Sequence, residues 1–183
     1  MHNSTTHRLQ KFIFLDRDGT LIKLIPYLKN PAEVEVLDNS VKGLKKLSSH
    51  YKFGIITNQS LVGRGIGTMS QVSSVNQRVR DLFAKSDISF EFIYVCPHSP
   101  ESKCVCRKPK PYLGMLAMTR FEIDKNSSFM VGDSVSDFEF GENLGVRSML
   151  LEGHDLGGVS IPRFSDLNKV ADFILSQGVN NEH

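Results

Sequence analysis

Two aspartates stand two residues apart at the end of an apolar run, Asp16 and Asp18 in the stretch FLDRDGTLI. Like charges at the edge of a buried segment are unfavourable unless a cation or a substrate requires them. In an extended chain residues i and i+2 face the same side, so both carboxylates can enter one cleft. Gly19 lets the backbone turn away directly behind them. A hard cation there would favour the ionised carboxylates, and an ionised carboxylate can attack phosphorus. A solvated acidic turn is the plain alternative for a lone D-x-D-G.

Further polar groups recur just past other apolar runs. Asp133 in VGDSVSD supplies a third carboxylate, and a few carboxylates with water and phosphate oxygens are a normal magnesium environment. Asp137 has two competing readings: with Ser134 it forms an S-x-x-D helix cap, or it supports a metal site from outside. Thr57 and Asn58 in ITNQS offer a hydroxyl, an amide and strand-end N–H groups suited to phosphate oxygens. In RKPK, Pro109 biases Lys108 toward an extended backbone that aims its ammonium. Arg107 could fork onto a second phosphate, and Lys110 reads as a solvated turn residue.

All three cysteines lie within eleven residues, as Cys96, Cys104 and Cys106, with His98 among them. This C-x-H-x5-C-x-C set is sized for tetrahedral zinc. Four protein ligands leave no open position, so the expected role is structural. Free thiols beside a surface histidine are the alternative.

The elements that must carry these groups alternate in type. Apolar strands are predicted at KFIFL, KFGIITN, FEFIYV, SSFMV and VRSMLL. Helices are predicted from Asp38 or Asn39, from a Thr68/Gln71 capping box to about Lys85, over 112–121 and over 135–144. A last helix carries Leu167, Val170, Ala171 and Ile174, with Ser165 as its expected cap. The pattern predicts an α/β fold with a mostly parallel sheet. Asp16/Asp18, Thr57/Asn58, Cys96/His98 and Asp133 all lie at a strand's C-terminal end, the edge where open α/β sheets bind ligands.

The 183 residues suit one domain over 1–183, with 1–10 and 178–183 expected to be flexible tails. A net charge of only +2 gives no basic field for nucleic acid or membrane surfaces. No apolar run is long enough to span a bilayer, and the N-terminal stretch lacks a secretory pattern. A cytoplasmic monomer acting on a small molecule is therefore the expectation, with neither nucleic acid nor membrane as partner.

D-x-D-G-T from Asp16, T-N at Thr57, K-P at Lys108 and G-D-x-x-x-D from Gly132 occur in the order of haloacid-dehalogenase-superfamily phosphatases. GTLI, YLKNPAEVEVL, TNQSLVGRG, CPH and CVCRKPKP further resemble its zinc-loop subfamily, over residues 11–152. That subfamily comprises heptose bisphosphate phosphatases and the phosphatase domains of histidinol-phosphate enzymes. The resemblance implies a capless Rossmann-like domain that uses Mg2+, with a structural Zn2+ on Cys96, His98, Cys104 and Cys106. It makes Asp16 the nucleophile, giving an aspartyl-phosphate, and Asp18 the general acid and then base. Mg2+ would bind Asp16, the Asp18 carbonyl and Asp133. Lys108 would stabilise charge, Thr57 and Asn58 would hold the phosphate, and Arg64 and Arg107 would contact the remaining substrate.

The implied substrate is D-glycero-D-manno-heptose 1,7-bisphosphate, cleaved at C7. Histidinol phosphate is the alternative, and a DNA 3′-phosphatase or a non-catalytic zinc-stabilised binding module are remoter ones. Two departures bear on specificity: Ser134 stands where many heptose enzymes carry lysine, and only five residues separate His98 from Cys104.

Overall fold

β1 (Phe12–Leu15) is buried along its whole length, and it forms the middle of the molecule in a computed structural model that describes residues 9–152 and 163–179. β2 (Lys52–Asn58) pairs with it on one side and β4 (Phe129–Gly132) on the other, both parallel. β3 (Phe92–Cys96), β5 (Arg147–Leu151) and β6 (Arg163–Phe164) extend the sheet to the order β3-β2-β1-β4-β5-β6, all parallel. Parallel strands covered on both faces read as continuous apolar runs, which is why FIFL and FMVG lack alternation. The five longer strands lie where the sequence predicts them. β6 has only two residues and carries no readable signal.

Side chains of alternate parity build two cores. Ile13, Leu15, Ile55 and Val131 pack against α1 (Asp38–Leu47), α3 (Met69–Ala84) and α6 (Leu167–Val179). Phe12, Phe14 and Met130 pack on the other face against α4 (Tyr112–Phe121) and α5 (Val135–Leu144). A single turn, α2 (Ser60–Gly63), follows β2. Three layers result, α/β/α, and among the described residues nothing forms a separate cap.

Caps follow local chemistry. At α3 the Gln71 N–H donates to Thr68 Oγ1 at 3.2 Å, and the Thr68 N–H donates to Gln71 Oε1 at 2.9 Å, as the capping box predicts. At α6 the expected cap, Ser165, is displaced by its neighbour: the Lys169 N–H donates to Asp166 Oδ1 at 2.9 Å. Both residue types cap well, and a carboxylate facing the helix N-terminus gains from the macrodipole as well.

The expected tails fall mostly outside the described residues. Gln10, however, bridges to Ile123, with its N–H on the Glu122 carbonyl at 2.9 Å, and α6 continues to Val179. Among the described residues no helix is long and apolar enough to cross a membrane.

Strand order changes direction at β1 and β4, and at such a switch point the connections diverge and leave a crevice beyond the carboxyl ends. Asp16 follows β1 and Asp133 follows β4 at this place.

Candidate active site

The Asp16 N–H donates to the Val131 carbonyl at 2.9 Å, which pins the first residue beyond β1 against β4. Asp133 then comes into contact with the Asp16–Gly19 turn. Gly19 has φ +80°, and a Cβ built on it would lie 2.0 Å from Asp133 Oδ2. Only glycine tolerates both the left-handed backbone and that approach. Asp16, Asp133 and Asp137 offer carboxylate oxygens that all lie within 4.8 Å of one another. Octahedral Mg–O bonds of about 2.1 Å separate ligand oxygens by about 3 to 4 Å, so a small inward adjustment would let the group hold such an ion.

Lys108 reaches this cluster from the loop before α4. Its ammonium is 2.6 Å from Asp16 Oδ1, 2.6 Å from Asp137 Oδ1 and 2.7 Å from the Ile56 carbonyl. Two of its three protons go to Asp16 Oδ1 and the Ile56 carbonyl, and Asp137 faces the ammonium as an ion pair. Burial alone would lower the affinity of Lys108 for its proton, but Asp137 and then Asp16 hold it above the ordinary lysine range. Burial pushes Asp16 up to about 7, against the pull of Lys108 and with reinforcement from Asp137 and Asp18. A cation beside Asp16 would offset this desolvation, which is the chemical argument for a metal there.

Asp137 caps α5 and also faces Lys108. Its Oδ2 accepts from the Ser134 N–H at 3.1 Å and from Ser134 Oγ at 2.6 Å, while Oδ1 faces Lys108. Gly132 makes room, since a Cβ there would lie 2.4 Å from the Asp137 side chain. Capping fixes the carboxylate, and the fixed carboxylate aims the lysine.

A cleft of about 310 Å³ opens over these groups, lined by Asp16, Asp18, Thr57, Arg107, Lys108 and Asp133 among others. Its second wall is the segment from Leu24 to Leu28. Asp18 lies outside the cluster of metal-competent carboxylates; its oxygens are held by Arg17 and Gln59. Asn58 differs from expectation: its side chain binds the backbone of Lys108 on both sides, accepting from the N–H at 3.1 Å and donating to the carbonyl at 3.2 Å. Arg107 lines the cleft and donates to the His98 carbonyl at 3.2 Å. Arg64 stands apart from the lining residues and pairs with Glu101 at 3.2 Å. Its partner Glu101 belongs to the cysteine loop.

The four groups of that loop converge. Sulfur separations are 3.8 Å for Cys96–Cys104 and 3.3 Å for Cys96–Cys106, and His98 Nδ1 lies 3.2 Å from Cys106 Sγ. Zn–S bonds of about 2.3 Å in a tetrahedron set sulfurs about 3.8 Å apart, so the cluster has the size of a zinc site. Burial, opposed by the His98 backbone and reinforced by Cys106, pushes the Cys96 thiol up to about 12. Its thiolate would need a cation. The Lys108–Pro109 peptide bond, cis, follows two residues after the last of these ligands.

Three residues at the site escape a reading of motifs: Arg17, Gln59 and Asn76. Arg17 is 1% exposed, between two aspartates that draw the attention. Asn76 had a usable signal, because it shares the apolar face of α3 with Val72, Val79 and Phe83.

A model of the HAD-hydrolase-like family matches residues 105–155. A D-glycero-beta-D-manno-heptose-1,7-bisphosphate 7-phosphatase of Pasteurella multocida is 35% identical over 150 residues, which cover 78% of this chain and 82% of that protein. This chain belongs to the heptose-bisphosphate phosphatase family of HAD-like hydrolases. Within the same superfamily, the D,D-heptose 1,7-bisphosphate phosphatase of B. bronchiseptica, crystallised with magnesium and phosphate, superposes with a TM-score of 0.83. That match has 26% identity and covers 92% of this chain and 99% of the other. The histidine biosynthesis bifunctional protein of Actinobacillus pleuropneumoniae is 32% identical over 143 residues, but the chain spans only 40% of its length. This chain and the B. bronchiseptica phosphatase share one fold.

Proposed function

We propose that the chain is a Mg2+-dependent phosphatase that removes the C7 phosphate of a D-glycero-D-manno-heptose 1,7-bisphosphate. The observation that carries this reading is the convergence of Asp16, Asp133 and Asp137 around the Lys108 ammonium beyond β1 and β4. Relatives bearing that substrate in their names match along most of both chains, whereas the histidine-biosynthesis relative is matched over less than half its length.

In this reading Asp16 attacks phosphorus and becomes an aspartyl-phosphate, while Asp18 gives a proton to the departing sugar oxygen. Asp18 then takes a proton from the water that releases phosphate. Lys108 holds Asp16 in place and offsets charge on the transferring group. Thr57 and strand-end N–H groups grip phosphate oxygens, and Arg107 contacts the distal part of the substrate. Asp16, Asp133 and the Asp18 carbonyl would hold Mg2+, which would supply charge neutralisation to the phosphoryl oxygens. Cys96, His98, Cys104 and Cys106 would hold Zn2+, which would fix the loop that carries Arg107 and Lys108.

Phosphate release from both anomers of the heptose bisphosphate and from histidinol phosphate, with Mg2+, tests the proposal. The bisphosphate is expected to turn over at least about tenfold more efficiently. Preference for histidinol phosphate would move the substrate assignment, and silence on every phosphate ester would end the phosphatase reading. Asp16→Asn is expected to abolish turnover while the protein remains folded.

A further inference from the structure

We infer that Arg17, Gln59 and Asn76 are positioning residues that hold Asp18 in a single orientation for proton transfer, an inference that rests on the phosphatase reading above.

Arg17 Nε donates to Asp18 Oδ2 at 3.0 Å and a terminal nitrogen donates to Oδ1 at 3.1 Å, a two-pronged grip on one carboxylate. Such forks fix direction as well as distance. A guanidinium 1% exposed needs its own anchor, and Asn76 Oδ1 accepts from its other terminal nitrogen at 2.7 Å. Asn76 is itself buried on α3, a helix packed on the sheet and held at its N-terminus by the Thr68 box. The rigid element therefore sets the arginine, and the arginine sets the aspartate.

Gln59 grips Asp18 from the end of the neighbouring strand, β2. Its Nε2 donates to Asp18 Oδ2 at 2.8 Å and to Thr57 Oγ1 at 2.7 Å. The amide spends both protons, one on the acid/base and one on the hydroxyl of Thr57. Because Thr57 Oγ accepts this bond, its own proton remains available to a phosphate oxygen. One side chain thereby ties the proton carrier to the phosphate grip.

The geometry matters differently in the two halves of the reaction. In the first, the Asp16–phosphorus bond forms as the phosphorus–oxygen bond to the leaving group breaks, and Asp18 gives its proton to that oxygen. In the second, the water–phosphorus bond forms as the Asp16–phosphorus bond breaks, Asp18 takes a proton from the water, and phosphate departs. A phenolate leaves without a proton, so the first half with an aryl phosphate needs no well-placed Asp18. The second half always does.

Single turnover of an aryl phosphate with enzyme in excess separates the halves. Phenolate appearance reports the first and inorganic phosphate the second. For Asn76→Leu, phenolate is expected within about twofold of the wild-type rate, and phosphate slower by about tenfold or more. Gln59→Leu, which also loses the bond to Thr57, is expected to slow both, phosphate by the larger factor. Arg17→Lys keeps the charge but loses the fork, and should show the same split as Asn76→Leu. KM for the sugar phosphate is expected to move less than about threefold. Equal slowing of phenolate and phosphate in the folded leucine variants, or a raised KM with unchanged kcat, would overturn the inference. A wild-type enzyme releasing no phosphate from sugar or aryl esters would instead overturn the reading beneath it.

Discussion

The Asn58 side chain and the Lys108 backbone, fifty residues apart in sequence, exchange two hydrogen bonds at 3.1 and 3.2 Å. The end of β2 thus holds the loop that delivers the ammonium. Lys108 can reach Asp16, Asp137 and the Ile56 carbonyl at once only if its backbone sits where Asn58 puts it.

Asn58→Ala leaves both backbone groups of Lys108 without this partner, a loss of about 1 to 3 kcal/mol each where such groups are buried. Melting should fall by several degrees. Displacement of the ammonium by about an ångström should lower kcat about a hundredfold. Asn58→Asp keeps the acceptor and loses the donor, so its melt should fall between the two. Thermal melts with steady-state kinetics check this. A rise in KM alone, with kcat and melt unchanged, would return Asn58 to the role of phosphate ligand.

Burial holds Asp16 at about 7, far above its ordinary 3.8. A folded-state value above the unfolded one contributes stability at low pH, and this contribution is lost as pH rises through about 7. With Asp16 protonated, a cation must displace the proton. Mg2+ affinity is therefore expected to be about a hundredfold weaker at about pH 5 than at about pH 8. The added Mg2+ should raise the melting temperature more at the higher pH, where the ion meets a free carboxylate. Calorimetric titration at several pH values checks it; affinity independent of pH would place Asp16 outside the binding set.

The strands and the residues at their ends were legible because a buried parallel strand is a short apolar run, and its polar end marks the ligand edge. Asp16, Thr57 and Asp133 could be placed on that basis before any coordinate. The partners of those residues could not. Whether Asn58 meets phosphate or Lys108, and whether Arg64 reaches the cleft or Glu101, depends on side-chain directions that spacing does not encode. Ser165 and Asp166 are equally good caps by type, and only the bond from Lys169 separates them. Arg17 illustrates the limit most clearly, since a buried arginine is identified by its neighbours rather than by itself.

Cys104→Ser should act on stability more than on chemistry. It removes one of four converging metal ligands, so bound zinc should fall from about one per chain and the melt by several degrees. Lys108 keeps Asn58, Asp16 and Asp137, so kcat should fall by less than about tenfold. Metal analysis, melting and kinetics together check this. A strong chelator should reproduce the loss in wild type and add little in the variant. An unchanged melt would show that the loop does not depend on the cluster.

Gly19→Ala should separate metal binding from the rest of the cleft. At φ +80° an alanine is strained by about 1 to 3 kcal/mol. Its Cβ would also demand the space of Asp133 Oδ2, 2.0 Å away, so the carboxylate must swing out of the cluster. Asp16, Lys108 and Asp137 keep their mutual contacts, because none passes through Gly19. The variant should therefore melt a few degrees lower, bind Mg2+ at least about tenfold more weakly, and recover part of its turnover at high Mg2+. Calorimetry and a Mg2+ dependence of kcat/KM check this. Unchanged Mg2+ affinity in a folded Gly19→Ala protein would remove Asp133 from the cation site.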